Sequence, residues 1–587
     1  MLRFGNIATR IEIMMVKRSI GGPFRVGRWS VDPNTGTLSG EGSTRRLQPR
    51  TMAVLQRLSD SAGELVSKRQ LLDEVWEGAF VGEDVLSRCI ADIRRAMNDD
   101  ARQPTVIETV PRRGYRLIAP VEIQAPPLQT IAVLPLVNMT GDPSEDYLCD
   151  GLAELLTAEL VQITTLRVIS RTSASRFRDS SLGMTEIARQ LGADALVEGS
   201  IGRSVDGFRV TVQLIEGATD SHMWARSWER ALEDLLALQS EITRSIAIEL
   251  NAVIAPKEER RLQRSRQVNP EAFRAYLRGR NLWSLRDPQS IRQARSLFED
   301  AIEADPKFPP AWVGKADSHI LLALYGEEEP EKVADAVSLI LSSAVPLDPE
   351  SIEVNTSLAG MRLYFQWDFQ TAEIELERAL AISSNYPITH LAHADLLTVT
   401  GRPRDAVAAM RKAVRLDPLD PGMQMNLAER LFSVGRHQDA IDAYLEIISR
   451  YPGFSPGRVR LALCYATLGE SDQALAILGE LPNRPLSAHS LANRVITLAM
   501  VERQSEAELL LADLEAMTND RYVPAYQIAR ARASLGSVNG ALEALERAVK
   551  ARDCFVIFSA VDPILAPLGD RPEFQDILQQ IGLSLEG

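Results

Sequence analysis

The sequence predicts a multidomain protein in three parts: an α+β head, a small α/β module and an all-α solenoid of paired helices. Three textures carry that reading. Short β-like runs mix with amphipathic helical segments over residues 24–121, strand and helix signals alternate from Thr130 to about residue 255, and helical periodicity then continues to the C-terminus. A chain of 587 residues is too long for one hydrophobic core. The expected divisions are a disordered leader (1–19), the head (20–121), a proline-containing linker (122–130), the α/β module (131–255), a charged helical linker (256–272), the repeat array (273–560) and a capping segment (561–587).

Charge separates the head from the rest. Residues 1–121 hold nineteen Lys/Arg and fourteen Asp/Glu, a net +5; the whole chain is at −14, so the remainder carries −19. A basic end on an acidic body is the asymmetry of a protein whose one end meets a polyanion. Arg3, Arg10, Glu12, Lys17 and Arg18 interrupt any signal-peptide core. No stretch reaches the roughly 20 apolar residues that span a bilayer, so a cytoplasmic protein is expected. Cys89, Cys149, Cys464 and Cys554 lie far apart with no C-x-x-C pair, which suits scattered buried thiols rather than a zinc site or disulfides.

Within the head, FRVGRWSVD (24–32) and TLSGEGSTRRLQ (37–48) read as short antiparallel strands. Pro49 opens a helix with Met52, Leu55 and Leu58 on one face, and Ser67 is a suitable N-cap for a second helix, KRQLLDEVW (68–76). The loop EGAFVG (77–82) leads to a third helix from Glu83 to Met97. Its Leu86, Ile90, Ile93 and Met97 recur at helical spacing and face the core, which turns Ser87, Arg88, Ala91, Arg94 and Arg95 to the other side. A hairpin closes the domain, VIETV and YRLIAPV around the turn Pro111-Arg112-Arg113-Gly114.

This order resembles the winged helix-turn-helix DNA-binding domain of the OmpR/PhoB class. The resemblance rests on Leu71 and Trp76 of the second helix, I-x-x-I-R-R at Ile90 to Arg95, and T-V-P-R-R-G-Y-R at Thr109 to Arg116. It implies double-stranded DNA as the ligand, with the third helix in the major groove and wing arginines in a narrow minor groove. The expected DNA-contacting residues are Lys68, Arg69, Trp76, Ser87, Arg88, Ala91, Arg94, Arg95, Arg112 and Arg113. Lys68 and Arg69 stand where free N–H groups at a helix start suit a phosphate. The alternative for Arg88, Arg94 and Arg95 is a solvated face paired with Asp84 and Asp92. The 77–82 loop is expected to meet RNA polymerase. Two departures matter. Pro111 stands where two-component members often carry arginine, which shifts minor-groove contact to Arg112 or Arg113. About twenty residues precede the head, so control through a fused receiver domain is not expected.

In the middle, IAVLPLVN (131–138) and LRVISR (166–171) read as strands, 144–163 and 183–193 as helices, and 195–217 as a hairpin turning at Val205-Asp206-Gly207. Trp224 and Trp228 precede a further helix from Leu232 toward Val253. The array of elements resembles the TolB N-terminal-like module. Asp142, Glu145, Asp146 and Asp150 form an acidic patch that the dipole at a helix start accounts for without a metal. There is no phosphate loop, H-E-x-x-H, G-x-S-x-G elbow or Rossmann fingerprint. His390 and His393 occupy packing positions. No catalytic residue, metal or cofactor is expected.

The last region repeats. Gly401, Gly435 and Gly469 are spaced 34 residues apart, and each is followed by a small residue (Ala406, Ala440, Ala474), a bulky one (Met410, Tyr444, Leu478) and an apolar one (Ala413, Ile447, Leu481). Pro418, Pro452 and Pro482 close the units. Small residues let two helices approach closely, the bulky one fills the seam, and proline ends the second helix. A 34-residue helical hairpin resembles the tetratricopeptide repeat, and about eight units are expected between residues 273 and 555. Such solenoids present a groove for a protein or peptide partner, whose lining is expected to include Met425, Glu429 and Phe432. The sequence thus predicts a one-component, sequence-specific transcriptional regulator that docks a partner through its repeats. The alternative is a scaffold whose head has no specific operator.

Overall fold

The computed structural model describes residues 24–33, 35–40, 43–76, 82–123, 129–205, 207–231, 235–252, 254–262, 269–283, 285–481 and 487–585. The leader, residues 77–81 of the loop expected to meet RNA polymerase, residues 124–128 of the linker, residues 263–268 of the charged helical linker, Asp206 and Pro482 lie outside them. The chain divides into two compact units, residues 1–128 and 129–587.

The first unit runs β1 (Phe24–Val26), β2 (Trp29–Asp32), β3 (Thr37–Gly40), β4 (Ser43–Arg46), α1 (Pro49–Ser59), β5 (Leu65–Ser67), α2 (Lys68–Val75), α3 (Glu83–Met97), β6 (Ile107–Val110), β7 (Gly114–Leu117) and β8 (Val121–Ile123). One sheet has the order β4-β3-β2-β1-β8 and a second the order β5-β7-β6. The expected apolar faces are buried: Met52, Leu55 and Leu58 of α1 join Leu86, Ile90, Ile93 and Met97 of α3 in one core with Phe24 and Trp29. The head extends beyond residue 121, because Val121–Ile123 pairs antiparallel with β1.

The second unit opens with β9 (Thr130–Val133), β10 (Val137–Met139), α4 (Asp146–Leu160), β11 (Arg167–Val168), α5 (Arg171–Ala174), α6 (Met184–Leu191), β12 (Ala195–Ser204), β13 (Gly207–Glu216), β14 (Ser221–Arg230), α7 (Leu235–Glu249) and α8 (Pro256–Leu262). Its sheet has the order β11-β9-β12-β13-β14, with β10 also on β12. The strands β11, β9, β10 and β12 pair in parallel, and β12, β13 and β14 form an antiparallel meander. Trp224 and Trp228 lie within the strand β14, and the expected helix, α7, follows it.

Eight helical pairs follow among the described residues: Pro270–Trp283 with Pro288–Ala304, Pro309–Leu324 with Pro330–Ala344, Ile352–Met361 with Phe369–Ile382, Pro387–Val399 with Pro403–Leu416, Pro421–Ser433 with His437–Arg450, Ser455–Thr467 with Ser471–Gly479, Ala488–Met500 with Gln504–Ala516, and Ala525–Ser534 with Val538–Lys550. Gly401, Gly435, Gly469 and Gly536 have φ between +75° and +80°, the left-handed position that ends the first helix of a pair. Ala406, Ala440, Ala474 and Ala541 are fully buried at the helix crossings.

The sheet and the array share one packed interior. Asn385, ahead of the fourth pair, donates to the carbonyls of Ile163 (3.5 Å) and Leu166 (2.5 Å), and Ser383 donates to that of Val161 (2.5 Å). The Ser173 hydroxyl donates to Asp417 (2.6 Å) and accepts from the Leu419 N–H (2.8 Å), while Leu419 packs with Ile169 and Leu196. Glu154 of α4 sits between Arg171 and Arg280. The change of sequence pattern near residue 260 is thus no break in packing.

The segment beyond the eighth pair turns inward. Cys554 and Ile557 share a core with Ile320, Leu363, Phe365 and Leu396 of the second, third and fourth pairs. The Phe555 ring stands edge-on to His489 of the seventh at 4.4 Å. Asp562 accepts from the Tyr526 hydroxyl (2.8 Å) and Arg530 Nε (2.6 Å) of the eighth. A single buried segment that touches pairs two to four and seven to eight lies between them.

Two predictions follow from this packing. Ala440→Phe overpacks a helix crossing and is expected to cost about 1–3 kcal/mol, read as a lower midpoint in thermal melts followed by circular dichroism. Burial, then the nearby Asp420 charge, pushes the Asp417 carboxyl up to about 7. A carboxyl raised in the folded state contributes stability at low pH that is lost as pH rises from about 4, its unfolded value, through about 7. Denaturant melts are expected to show stability falling over that window, and Asp417→Asn is expected to flatten that part of the profile.

Candidate nucleic-acid interface

The outer face of α3 is set by what its inner face buries. Leu86, Cys89, Ile90 and Ile93 point into the core, leaving Ser87, Arg88, Ala91 and Arg95 exposed. Among the described residues the Arg88 side chain makes no hydrogen bond or ion pair. The Arg95 side chain is 80% exposed and pairs with Asp92 at 3.2 Å. Ser87 bonds back to the Glu83 carbonyl, as helical hydroxyls do.

Arg94 corrects the sequence expectation. Its side chain is 13% exposed and donates through Nη2 to the Ile107 carbonyl (2.7 Å) and the Thr109 hydroxyl (2.9 Å), with Nε 3.7 Å from Asp99. It is a strut between α3 and the wing strand β6, not a free reader of DNA. Asp99, fully buried, accepts from the backbone N–H groups of Thr105 (2.7 Å), Val106 (3.0 Å) and Ile107 (3.0 Å). At the same helix end Arg45 Nη1 donates to the carbonyls of Arg95 (2.7 Å) and Ala96 (2.8 Å) and to Asn98 Oδ1 (3.0 Å), a cation placed where the helix dipole favours one. Neither Asp99 nor Arg45 was singled out from the sequence.

At the start of α2, Ser67 and Gln70 form a reciprocal capping box. Lys68 Nζ lies 2.6 Å from Glu83, whose carboxylate raises the pKa of the ammonium. Arg69 is exposed and loosely paired with Asp73 at 3.5 Å. Trp76, among the expected DNA contacts, packs half-buried against the core.

The wing turn spans Val110 to Arg113, closed by the Arg113 N–H on the Val110 carbonyl at 3.0 Å. Pro111 precedes Arg112, which takes φ +63°, the arrangement of a type II turn. Gly114 begins β7 instead of forming the turn's corner. A Cβ there would lie 2.0 Å from the Val66 carbonyl oxygen, so only glycine lets β7 run beside β5. Arg112 and Arg113 are exposed, with no side-chain ion pair among the described residues. The Lys68 N–H reaches the Arg113 carbonyl at 3.3 Å, which brings the wing beside the start of α2.

Elsewhere the singled-out residues are engaged within the fold. Glu145 pairs with Arg203, Asp146 accepts from Asn138 (2.7 Å), Asp142 caps the following turn through the Ser144 N–H (2.9 Å), and Asp150 meets Arg171, Arg178 and Asn281. Burial lowers the pKa values of His390 and His393, and His390 Nε2 lies 2.9 Å from the Ser384 carbonyl. Of the expected groove residues, Met425 and Phe432 pack half-buried into the array's core, and Glu429 pairs with Arg460 at 2.9 Å. Part of the space between the pairs is taken by the chain's own residues 553–562.

Residues 42–117 match the family described as "Transcriptional regulatory protein, C terminal", and residues 391–453 and 431–490 match two tetratricopeptide-repeat families. Curated relatives include "Putative adenylate cyclase 3" of Rhizobium meliloti, 31% identical over 46% of this chain and 42% of its own, and "Transcriptional regulator HilA" of Salmonella typhimurium, 23% identical over 63% and 66%. The chain spans less than two thirds of the length of either. "Transcriptional activator CadC" of Escherichia coli is 37% identical over 16% of this chain and 19% of its own. A solved structure, "DNA BINDING DOMAIN OF E.COLI CADC", is 34% identical, covers 18% of this chain and 97% of its own, and has a TM-score of 0.17. No helix among the described residues is long and apolar enough to cross a membrane. Residues 42–117 are an OmpR/PhoB-type DNA-binding domain, and the same chain carries tetratricopeptide repeats.

Proposed function

We propose that the protein is a one-component transcriptional regulator of the cytoplasm that reads a specific duplex sequence through α3 and grips the flanking backbone through the wing. The observation that carries this is the set of uncommitted cations on one domain: Arg88 on α3, and Arg112 and Arg113 on the turn. Arg112 takes a left-handed backbone conformation that costs a non-glycine residue about 1 kcal/mol or more. A strained arginine at a hairpin tip, with no partner of its own, suits an anionic groove. Lys68, Arg69 and Arg95 add phosphate contacts at the edges, each by exchanging a carboxylate partner for DNA. The residues before the array form a TolB N-terminal-like module that acts as one body with the repeats, and the repeats dock a protein partner. The match to a relative named for adenylate cyclase activity does not alter this reading: in the acidic patch of the middle region Asp150 and Glu145 are held by arginines, Asp146 by the Asn138 amide, and Asp142 by a backbone N–H. Contact of the 77–82 loop with RNA polymerase completes the proposal.

The test is a competition assay between a duplex selected by the protein from a random pool and its scrambled counterpart, at two salt concentrations. Arg88→Ala is expected to remove about 1–3 kcal/mol of discrimination at one base position. Arg112→Gly with Arg113→Ala keeps the turn, weakens both duplexes alike, and lowers the log–log salt slope by about one to two units. A flat salt response, or indifference to both changes, would favour a scaffold whose head has no operator. Arg94→Ala behaves differently: it strands Asp99 and is expected to cost about 2–4 kcal/mol of head stability, seen as a lower melting midpoint without DNA.

A further inference from the structure

Arg94 joins the helix that bears Arg88 to the wing that bears Arg112 and Arg113. Among the described residues, every hydrogen bond from an α3 side chain to either wing strand starts on its guanidinium. Nη2 donates to the Ile107 carbonyl (2.7 Å) and to the Thr109 hydroxyl (2.9 Å). Thr109 pairs with Tyr115 across the hairpin and immediately precedes Val110, where the wing turn begins. The hold is therefore applied at the root of the turn. On the helix, Arg88 lies six residues before Arg94, about 9 Å along the axis. The wing's other polar anchor is on a different element: β7 pairs with β5, and the Lys68 N–H meets the Arg113 carbonyl. That anchor ties the wing to the start of α2, not to α3. Ile90 and Ile93 share a core with Ile107, Tyr115 and Leu117, but apolar burial is non-directional and sets no single angle.

The guanidinium is gripped from two directions. Nε lies 3.7 Å from the fully buried Asp99, and Nη2 faces β6. A planar fork held on both sides fixes an orientation as well as a distance. Asp99 also collects the N–H groups of Thr105, Val106 and Ile107, so one carboxylate holds both the guanidinium and the entry of β6. A helix and a hairpin that must meet one stiff duplex at the same time bind best when their spacing is set beforehand, because the cost of ordering them on the ligand is then avoided. We infer that Arg94 is a positioning residue for sequence reading: through Thr109 it sets the wing at one distance from Arg88, so that the base contact and the backbone grip fall in register on a single duplex. This role rests on the DNA reading proposed above and goes beyond the stability of the head.

Two measurements test it, one of them without DNA. Nitroxides are attached at Arg88→Cys and Arg113→Cys in the full chain, whose four native cysteines are buried. Pulsed electron spin resonance is expected to give one narrow distance distribution, and Thr109→Val, which removes the hydroxyl but keeps the branched shape, is expected to broaden it. In the competition assay on unlabelled protein, Thr109→Val is expected to lower the preference for the selected over the scrambled duplex about three- to tenfold. Binding to the scrambled duplex and the salt slope stay as in the wild type, and Thr109→Ser restores the preference. Arg94→Lys keeps the charge but not the fork and is expected to behave as Thr109→Val does. Equal weakening on both duplexes by Thr109→Val would show that the hydroxyl itself meets a phosphate, and Arg94→Lys indistinguishable from the wild type would show that only the charge matters; either result overturns the positioning role. So does a preference left intact while the distances broaden, or a distribution that Thr109→Val leaves narrow. A wild type with no preference for the selected duplex overturns the DNA reading, and the positioning role with it. If Arg94→Lys fails to fold by near-ultraviolet circular dichroism, Thr109→Val decides alone.

Discussion

The geometry of the face that α3 and the wing share depends on one carboxylate that water does not reach. Asp99 gathers three backbone N–H groups where the chain enters the wing strand β6, and Arg94 approaches it from α3. A buried backbone donor left without an acceptor costs on the order of 1–3 kcal/mol, so the loop after α3 has few other ways to close. The same constraint recurs wherever an element ends inside the protein. Arg45 takes the last carbonyls of α3, Asn385 takes those after α4, and Asp553 accepts from the Tyr526 N–H at 3.0 Å. In each case a side chain remote in sequence completes a backbone that the element could not satisfy itself.

The parts legible in the sequence are those whose cause is local and periodic. A 34-residue spacing of glycine and alanine marks helix ends and crossings, and the glycines do take positive φ while the alanines are buried. The faces of α1 and α3 and the Ser67 cap were legible for the same reason. β5 and β8 were not. Each has three residues, too few to show alternation, and each exists because a distant strand offers it an edge. β14 hid its period behind two tryptophans and two arginines on one face.

The candidate site was legible as a surface but not in its division of labour. Helical spacing puts Arg88, Arg94 and Arg95 outside the apolar stripe. What separates them is Asp99 and the strand beyond it, which draw Arg94 to the flank and leave Arg88 uncommitted. The wing turn was placed one residue late, since Gly114 suggested the corner, whereas its real constraint is the close approach of Val66. Met425 and Phe432, expected to line a groove from their position on a first helix, are half-buried against the array's core, an engagement that helical spacing alone does not show.

The inward turn of residues 553–562 bears on how the protein is made. Every helical pair emerges from the ribosome before the segment that packs between pairs two to four and seven to eight. Neighbouring pairs can stack as they appear, yet apolar surface around Ile320, Phe365 and Leu396 stays uncovered until synthesis passes residue 562. Those faces of the nascent array therefore stay exposed while neighbouring pairs stack, and the closing of the array is a late step rather than one that proceeds pair by pair.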